Sequence, residues 1–136
     1  LQKDSDKPIV LLATGTGYAP IRSILLDLIH QNSERQVHFY WGARQQEDLY
    51  ALEEAEALIG RLKNAKFLPV LSKPDSEWKG ESGYVQNVAA QNYPDLSQYE
   101  VYACGSPAMT ENAQSLLTQN CALPEDAFFC DAFSPA

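Results

Sequence analysis

Long apolar runs and an excess of positive charge are both missing from this sequence of 136 residues. No stretch approaches the ~20 consecutive apolar residues that a membrane-spanning helix needs, so we expect no membrane segment. Lysine and arginine together number 10 against 18 acidic residues, which gives a formal net charge of −8. Because proteins that bind nucleic acid present a basic face, this balance argues against DNA or RNA as a partner.

Cysteine is also scarce, and its three positions, 104, 121 and 130, lie far apart. This spacing predicts neither a disulfide framework nor a zinc or iron–sulfur site, and the two histidines have no paired ligand spacing. We therefore predict no metal site and expect a reducing, cytoplasmic environment. The length fits one domain over residues 1–136, and a hydrophobic fraction of 45% is enough for an ordinary core.

The most informative stretch runs from Ile9 to Ser23. It opens with five apolar residues, as in a strand buried on both faces, continues with residues 14–17, Thr-Gly-Thr-Gly, and ends with apolar residues at helical spacing. Pro20 suits the first turn of that helix, where a missing N–H is harmless. The glycines let the backbone approach a ligand, and the helix start favours an anion such as a pyrophosphate. We expect Gly17→Val to weaken binding of this ligand without unfolding the sheet.

Strand and helix patterns alternate along the rest of the chain. Strands are predicted at about 8–13, 36–41, 66–71, 99–103 and 127–130, with helices between them and a loop at 72–83. This alternation predicts a parallel sheet with helices on both faces. Ligands of such sheets bind beyond the carboxyl ends of the strands, so the turns at 14–17 and 104–107 would meet there if the first and fourth strands are neighbours.

Four motifs, spread over nearly the whole chain, resemble the nucleotide-binding domain of the ferredoxin–NADP reductase family. Within that family the resemblance is strongest to bacterial NAD(P)H–flavin reductases and to reductases similar to the CDP-6-deoxyglucoseen enzyme. The motifs are Gly-Thr-Gly-Tyr-Ala-Pro at 15–20, Tyr-Trp-Gly-Ala-Arg at 40–44 with Asp-Leu-Tyr at 48–50, Cys-Gly-Ser-Pro-Ala-Met at 104–109, and Asp-Ala-Phe at 131–133.

The resemblance implies a five-stranded parallel sheet of order 3-2-1-4-5 with helices on both faces. It also implies a flavin-binding β-barrel, normally N-terminal to this domain, that holds FAD or FMN. The barrel's Arg-x-Tyr-Ser/Thr motif does not occur in these residues. The chain is therefore expected to be one domain of a reductase that passes hydride from NAD(P)H to flavin N5, and to be inactive alone. The downstream electron acceptor, which could be free flavin, an iron–sulfur domain or an oxygenase, stays open.

The resemblance also assigns site residues. Cys104 stands where the nicotinamide carbon delivers its hydride, which makes it the candidate catalytic residue. Ser72 and Lys73 stand where NADP-using relatives have a Ser-Arg pair for the 2′-phosphate; lysine keeps the charge but lacks the bidentate fork, so the preference for NADH or NADPH stays open. The other candidate cofactor-binding residues are Thr14, Gly15, Thr16, Gly17, Pro20, Gly42, Arg44, Gly105, Ser106, Pro107, Met109 and Phe133.

Plainer interpretations exist for the same residues. Cys104 fits a small buried thiol, and Arg44 fits an ordinary surface charge. The two glycine turns fit a non-catalytic nucleotide-binding or regulatory module equally well, and a flavodoxin-like carrier would hold flavin at the first turn. The Cys-Gly-x-Pro sequence that begins at Cys104 is the feature that favours the enzyme.

Overall fold

A parallel sheet of six strands forms the centre of the protein in a computed structural model that describes residues 6–78 and 80–132. The spatial order is β4-β3-β2-β1-β5-β6, and each neighbouring pair is parallel. The strands are β1 (Ile9–Thr14), β2 (Val37–Ala43), β3 (Ala65–Leu71), β4 (Glu81–Ser82), β5 (Glu100–Gly105) and β6 (Phe128–Ala132). The helices are α1 (Tyr18–His30), α2 (Leu52–Gly60), α3 (Val85–Asn92) and α4 (Pro107–Asn120).

The predicted α/β class and strand order are confirmed, but the predicted number of strands is wrong. The five expected strands appear as β3-β2-β1-β5-β6, and β4 adds a sixth strand at the edge. This short strand lies in the stretch predicted as a loop, where Glu81 pairs with Val70 and Ser82 with Leu71. Both residues of β4 are exposed, so no alternation of apolar and polar residues marks them in the sequence.

The two faces of the sheet are covered by different helices. In β1, Ile9, Leu11 and Ala13 belong to the core layer that includes α1 and α2, whereas Val10 and Leu12 belong to the layer that includes α3 and α4. All five residues are at most 1% exposed. Burial on both faces explains why β1 is uniformly apolar, as strands in the middle of parallel sheets usually are.

The helix starts agree with the sequence signals. Helix α1 begins at Tyr18 after a 3-10 turn at Gly15–Gly17, and Pro20 lies in its first turn. Helix α4 begins with Pro107, and the Ser106 hydroxyl accepts a hydrogen bond from the Met109 N–H at 3.2 Å. These two starts follow β1 and β5 directly, which places both of them at the carboxyl ends of the parallel strands.

A buried ion pair lies at the opposite end of the strands, where β1 and β5 begin. The Arg35 Nη2 to Glu100 Oε1 distance is 2.6 Å, and both side chains are 9% exposed. Arg35 Nε also donates to the Lys7 carbonyl oxygen at 2.9 Å, so the pair joins the start of β5 to the segment before β1. No helix within residues 6–78 and 80–132 is long and apolar enough to cross a bilayer.

Candidate functional site

A cleft of about 930 Å³ opens at the carboxyl ends of the central strands, lined mostly from the side of α3 and α4, with Ala43 and Tyr50 on the side of α1 and α2. Four strand ends contribute to its lining, together with the starts of α3 and α4. A volume of this size is in the range of small-molecule and cofactor sites. The lining residues are Thr14, Gly15, Gly42, Ala43, Arg44, Asp48, Tyr50, Ser72, Gly83, Tyr84, Val85, Gln86, Asn87, Ser106, Ala108, Met109 and Asn112.

The cleft brings together seven of the candidate cofactor-binding residues, which come from four separate parts of the sequence. These are Thr14, Gly15, Gly42, Arg44, Ser72, Ser106 and Met109. The remaining described candidates lie outside the lining: Gly17, Pro20, Lys73, Cys104, Gly105 and Pro107. Phe133 and the side chain of Thr16 lie outside the described part of the structure.

Gly15 and Gly17 have different structural roles. Gly15 has a φ of +54°, a left-handed conformation that favours glycine, and a Cβ at this position would meet nothing within 4 Å. A Cβ at Gly17 would overlap the carbonyl oxygen of Cys104 and lie 2.6 Å from the carbonyl carbon. Gly17 therefore packs the turn against β5, and a side chain introduced by Gly17→Val would meet the Cys104 backbone, not the place where a phosphate approaches. The sequence indicates a glycine turn but not which side of it meets the protein.

Gly105 acts on the cleft indirectly. A Cβ at Gly105 would overlap Thr14 Oγ1 and lie 2.7 Å from Met109 Cε. The absent side chain thus leaves room for two residues that do line the cleft. Gly42 is similarly close-packed, because a Cβ there would lie 3.1 Å from Val85 Cβ.

Cys104 is 4% exposed and belongs to the core layer that includes α1 and α2. Cys104 is not among the residues that line the cleft, so in this domain its thiol is buried and does not face the cleft. The catalytic role assigned to Cys104 stays a prediction.

Trp41 connects the first glycine turn to the aromatic layer below it. Its indole Nε1 donates to the Gly15 carbonyl oxygen at 3.4 Å, and the ring of Tyr18 stacks on it at 4.4 Å with an interplanar angle of 9°. The Tyr18 hydroxyl donates to Glu54 Oε1 at 2.6 Å. Burial, together with this bond to a carboxylate, raises the pKa of Tyr18 well above its ordinary value, so the hydroxyl keeps its proton and stays a donor.

Three residues that the sequence analysis missed lie at the far side of the cleft. Tyr84, just before α3, lines it with 64% of its surface exposed, although large apolar side chains are usually covered. Gln86 is only 8% exposed, and its Nε2 donates to Asn112 Oδ1 at 3.0 Å. A polar residue at a buried position of α3, between Val85 and Val88, was the signal that could have identified Gln86.

Charge in the cleft comes from Arg44 and Asp48. The Asp48 carboxylate accepts the Gln45 N–H at 3.3 Å, whereas Arg44 is exposed and forms no ion pair within the described part of the chain. Lys73 is exposed next to it, since the Lys73 N–H donates to the Arg44 carbonyl oxygen at 2.9 Å. Over the same residues, no group of three histidine, cysteine or acidic side chains could hold a metal ion.

Residues 11–115 match the model of the oxidoreductase NAD-binding domain. The chain belongs to this family. The matched residues include all seven cleft-lining candidates, from Thr14 to Met109. The cleft at the carboxyl ends of the strands thus lies where an NAD-binding domain of doubly wound topology holds its ligand.

Similar proteins extend this result. The CDP-6-deoxy-L-threo-D-glycero-4-hexulose-3-dehydrase reductase of Yersinia pestis is 42% identical over 98% of this chain and 40% of its own length. The NAD(P)H-flavin reductase of Vibrio harveyi is 33% identical over 98% of this chain and 56% of its own. The crystal structure of the Amycolatopsis cytochrome P450 reductase GcoB superposes with a TM-score of 0.88 at 26% identity, over 98% of this chain and 39% of that one.

These relatives confirm the resemblance proposed from the sequence motifs, including its two bacterial reductase groups. They confirm an NAD-binding domain of the kind found in flavin-dependent reductases and do not favour a regulatory module. The chain spans about half the length of these relatives, so a second domain is part of each of them.

Proposed function

We propose that this domain binds NAD(P)H in the cleft and positions its nicotinamide for hydride transfer to FAD or FMN held by a second domain of the same protein. The convergence of four strand ends on one cleft, in a chain of the NAD-binding family, carries this proposal. When bound, the nicotinamide supplies the hydride and the flavin accepts it. The domain itself supplies binding and orientation, as is usual in cofactor enzymes.

The pyrophosphate of the coenzyme fits the turn at Gly15–Gly17. This turn leads directly into α1, whose first N–H groups and dipole favour an anion. Open space next to Gly15 lets a phosphate approach the backbone. Arg44 follows β2 and forms no ion pair with any residue the structure describes, so it adds a planar cation that suits phosphate oxygens.

The adenine base fits the side of the cleft formed by α3. The exposed ring of Tyr84 offers a flat stacking surface at the start of this helix. The amide of Gln86 is held by Asn112 through its NH₂ group, which leaves the carbonyl oxygen as the acceptor. An acceptor at that place recognises the 6-amino group of adenine and disfavours a base with a 6-oxo group.

The nicotinamide fits the turn after β5, next to Ser106 and Met109. Cys104 ends the strand below this turn, and it is the candidate catalytic residue if the ring extends over the strand end toward the flavin. The reduced flavin then serves a downstream electron acceptor, whose class this domain does not determine.

Anaerobic flavin reduction by NADH, followed by stopped flow in the full-length protein, tests the proposal. We expect rapid reduction, with nicotinamide hypoxanthine dinucleotide binding about tenfold less tightly than NADH because one hydrogen bond is lost. Gln86→Leu should remove this preference. The control is Gln114→Leu on α4, which makes the same chemical change at an exposed position outside the cleft. A full-length protein that neither binds NADH nor reduces its flavin with it would overturn the proposal.

A further inference from the structure

The indole of Trp41 contacts the backbone of the glycine turn that lines the cleft. Trp41 lies in β2, is 0% exposed, and belongs to the core layer that includes α1 and α2. A buried indole N–H needs an acceptor, and this one donates to the carbonyl oxygen of Gly15 at 3.4 Å. The acceptor thus belongs to the turn that lines the cleft on the other side of the sheet.

The orientation of one peptide unit follows from this bond. The peptide between residues 15 and 16 is planar and trans, so its N–H points in the direction opposite to its C=O. Because the Gly15 carbonyl points at Trp41, the N–H of residue 16 points away from the indole.

The 3-10 turn at Gly15–Gly17 also holds this carbonyl through an i→i+3 bond from the Tyr18 N–H, and the indole is its second donor. Gly15 has a φ of +54°, and glycine changes between backbone conformations at little energetic cost. A Cβ at this position would meet nothing within 4 Å, so the two hydrogen bonds to the carbonyl, and not packing around the residue, keep the peptide in place. A rotated peptide would present its carbonyl oxygen to the cleft and repel an anion.

The indole itself is held from several sides. Tyr18 stacks on it at 4.4 Å, and Tyr50 meets its edge at 5.3 Å with an interplanar angle of 88°. Tyr18 is fixed in turn by Glu54 of α2, which also pairs with Arg22 at 2.8 Å. A chain of contacts therefore runs from α2, through two aromatic rings, to the Gly15 carbonyl.

We propose that Trp41 is a positioning residue for the nucleotide site: its N–H holds the Gly15 carbonyl so that the next backbone N–H faces the diphosphate of the ligand. Tyr18 supports it by fixing the indole plane. The inference rests on the proposed function, because it needs the diphosphate to bind at this turn. Trp41 touches neither the ligand nor the reacting atoms; it acts through the peptide.

The test compares a ligand with a diphosphate and one without it. In the full-length protein, Trp41→Phe keeps an aromatic ring but removes the N–H donor. We expect the affinity for ADP to fall about tenfold, the scale of one hydrogen bond to a charged group, and the affinity for adenosine to change less than twofold. For NADH, KM should rise more than kcat falls.

Phe39→Leu is the matched control. Phe39 is also a fully buried aromatic residue of β2 and stacks near Trp41 at 6.3 Å, but it has no polar atom. Its replacement should lower the free energy of unfolding and leave the ratio of ADP to adenosine affinity at the wild-type value. A changed ratio in Phe39→Leu as large as that in Trp41→Phe would show that packing alone sets the turn, and would overturn the inference.

Tyr18→Phe keeps the test decisive if Trp41→Phe does not fold. It removes only the hydroxyl bond to Glu54, whose side chain is 43% exposed, and should lower ADP affinity about twofold to fivefold with adenosine affinity unchanged. A wild-type ADP to adenosine ratio in the folded aromatic variants would overturn the role of Trp41 while leaving the proposed function intact. Failure of the wild-type protein to bind NADH would instead remove the proposed function, and this inference with it.

Discussion

Arg44 and Lys73 are two cations that follow neighbouring strands, β2 and β3, and their side chains are placed differently. Arg44 lines the cleft, whereas Lys73 is exposed outside the lining and is tied to Arg44 through the backbone. Asp48 adds a negative charge to the lining, so the charge of Arg44 is offset there. A 2′-phosphate on the ribose would therefore depend on Lys73 for its second cation, and NADH would not.

Charge reversal at Lys73 measures this dependence. Lys73→Glu should weaken NADPH more than NADH by about 1–3 kcal/mol, the scale of a charge-assisted hydrogen bond. Lys66→Glu is the control. Lys66 is also exposed, but it lies near the amino end of β3, opposite His38 of β2 in the strand register and far from the cleft. Equal losses for the two coenzymes in titrations of the full-length protein would show that Lys73 is an ordinary surface residue.

The residues that line the cleft were predicted where they follow a strand, and missed where they begin a helix on the far side. Gly15, Arg44, Ser72 and Ser106 come directly after β1, β2, β3 and β5, and the carboxyl ends of parallel strands converge in any sheet of this order. Gln86 gives no such signal, since its burial depends on the packing of α3 against α4 around Asn112.

At the scale of the elements, the turn after β1 packs closely against β5 at Gly17. Gly17→Ala would place a methyl group on the Cys104 carbonyl, which belongs to a strand held on both sides by β1 and β6. Because the clash is with backbone atoms, one of the two segments must shift, so we expect a loss of about 1–3 kcal/mol in the free energy of unfolding, as for other overpacked sites.

Denaturant titration of the full-length protein measures this loss. Gly60→Ala serves as the control, because a Cβ on this last residue of α2 would meet nothing within 4 Å and should be neutral or stabilising. An unfolding midpoint for Gly17→Ala that equals the wild-type value would contradict the packing described here.

Strands buried on both faces are the most clearly predicted, because uninterrupted apolar residues mark them in the sequence. β1 is the clearest case, with Ile9 to Ala13 at most 1% exposed. The side on which a residue lies was not predictable, since shifting a strand by one position exchanges its two faces. Cys104 illustrates this: the motif places it at the end of β5, but only the register decides that its thiol faces the α1 layer.

At the scale of the whole molecule, the proposed function makes this domain one part of a larger reductase, and that proposal gives Cys104 its decisive test. Hydride transfer needs the nicotinamide and the flavin at near-attack distance, where small displacements are costly. If the ring reaches the end of β5, Cys104→Ser should lower the rate of flavin reduction about tenfold or more while coenzyme affinity changes much less. A chain limited to residues 1–136 should show no reductase activity, because the acceptor is absent.

Stopped-flow reduction of the full-length flavoprotein separates the two possible roles of this cysteine. A wild-type rate in Cys104→Ser would leave the thiol with a packing role only, in agreement with its 4% exposure. Flavin-linked turnover by the 136-residue domain alone would contradict the division of work between the two domains.

The contact between Trp41 and the Gly15 turn also has an optical consequence. The chain contains two tryptophans, and the other one, Trp78, lies in the segment after β3, where its indole donates to the Glu81 carbonyl. Reduced nicotinamide absorbs light at the wavelengths at which indole emits, whereas oxidised nicotinamide does not. Energy transfer from Trp41 to a coenzyme seated on the other side of the turn would therefore quench its fluorescence only in the reduced state. In a Trp78→Phe background, the emission of this domain would report the redox state of its own ligand.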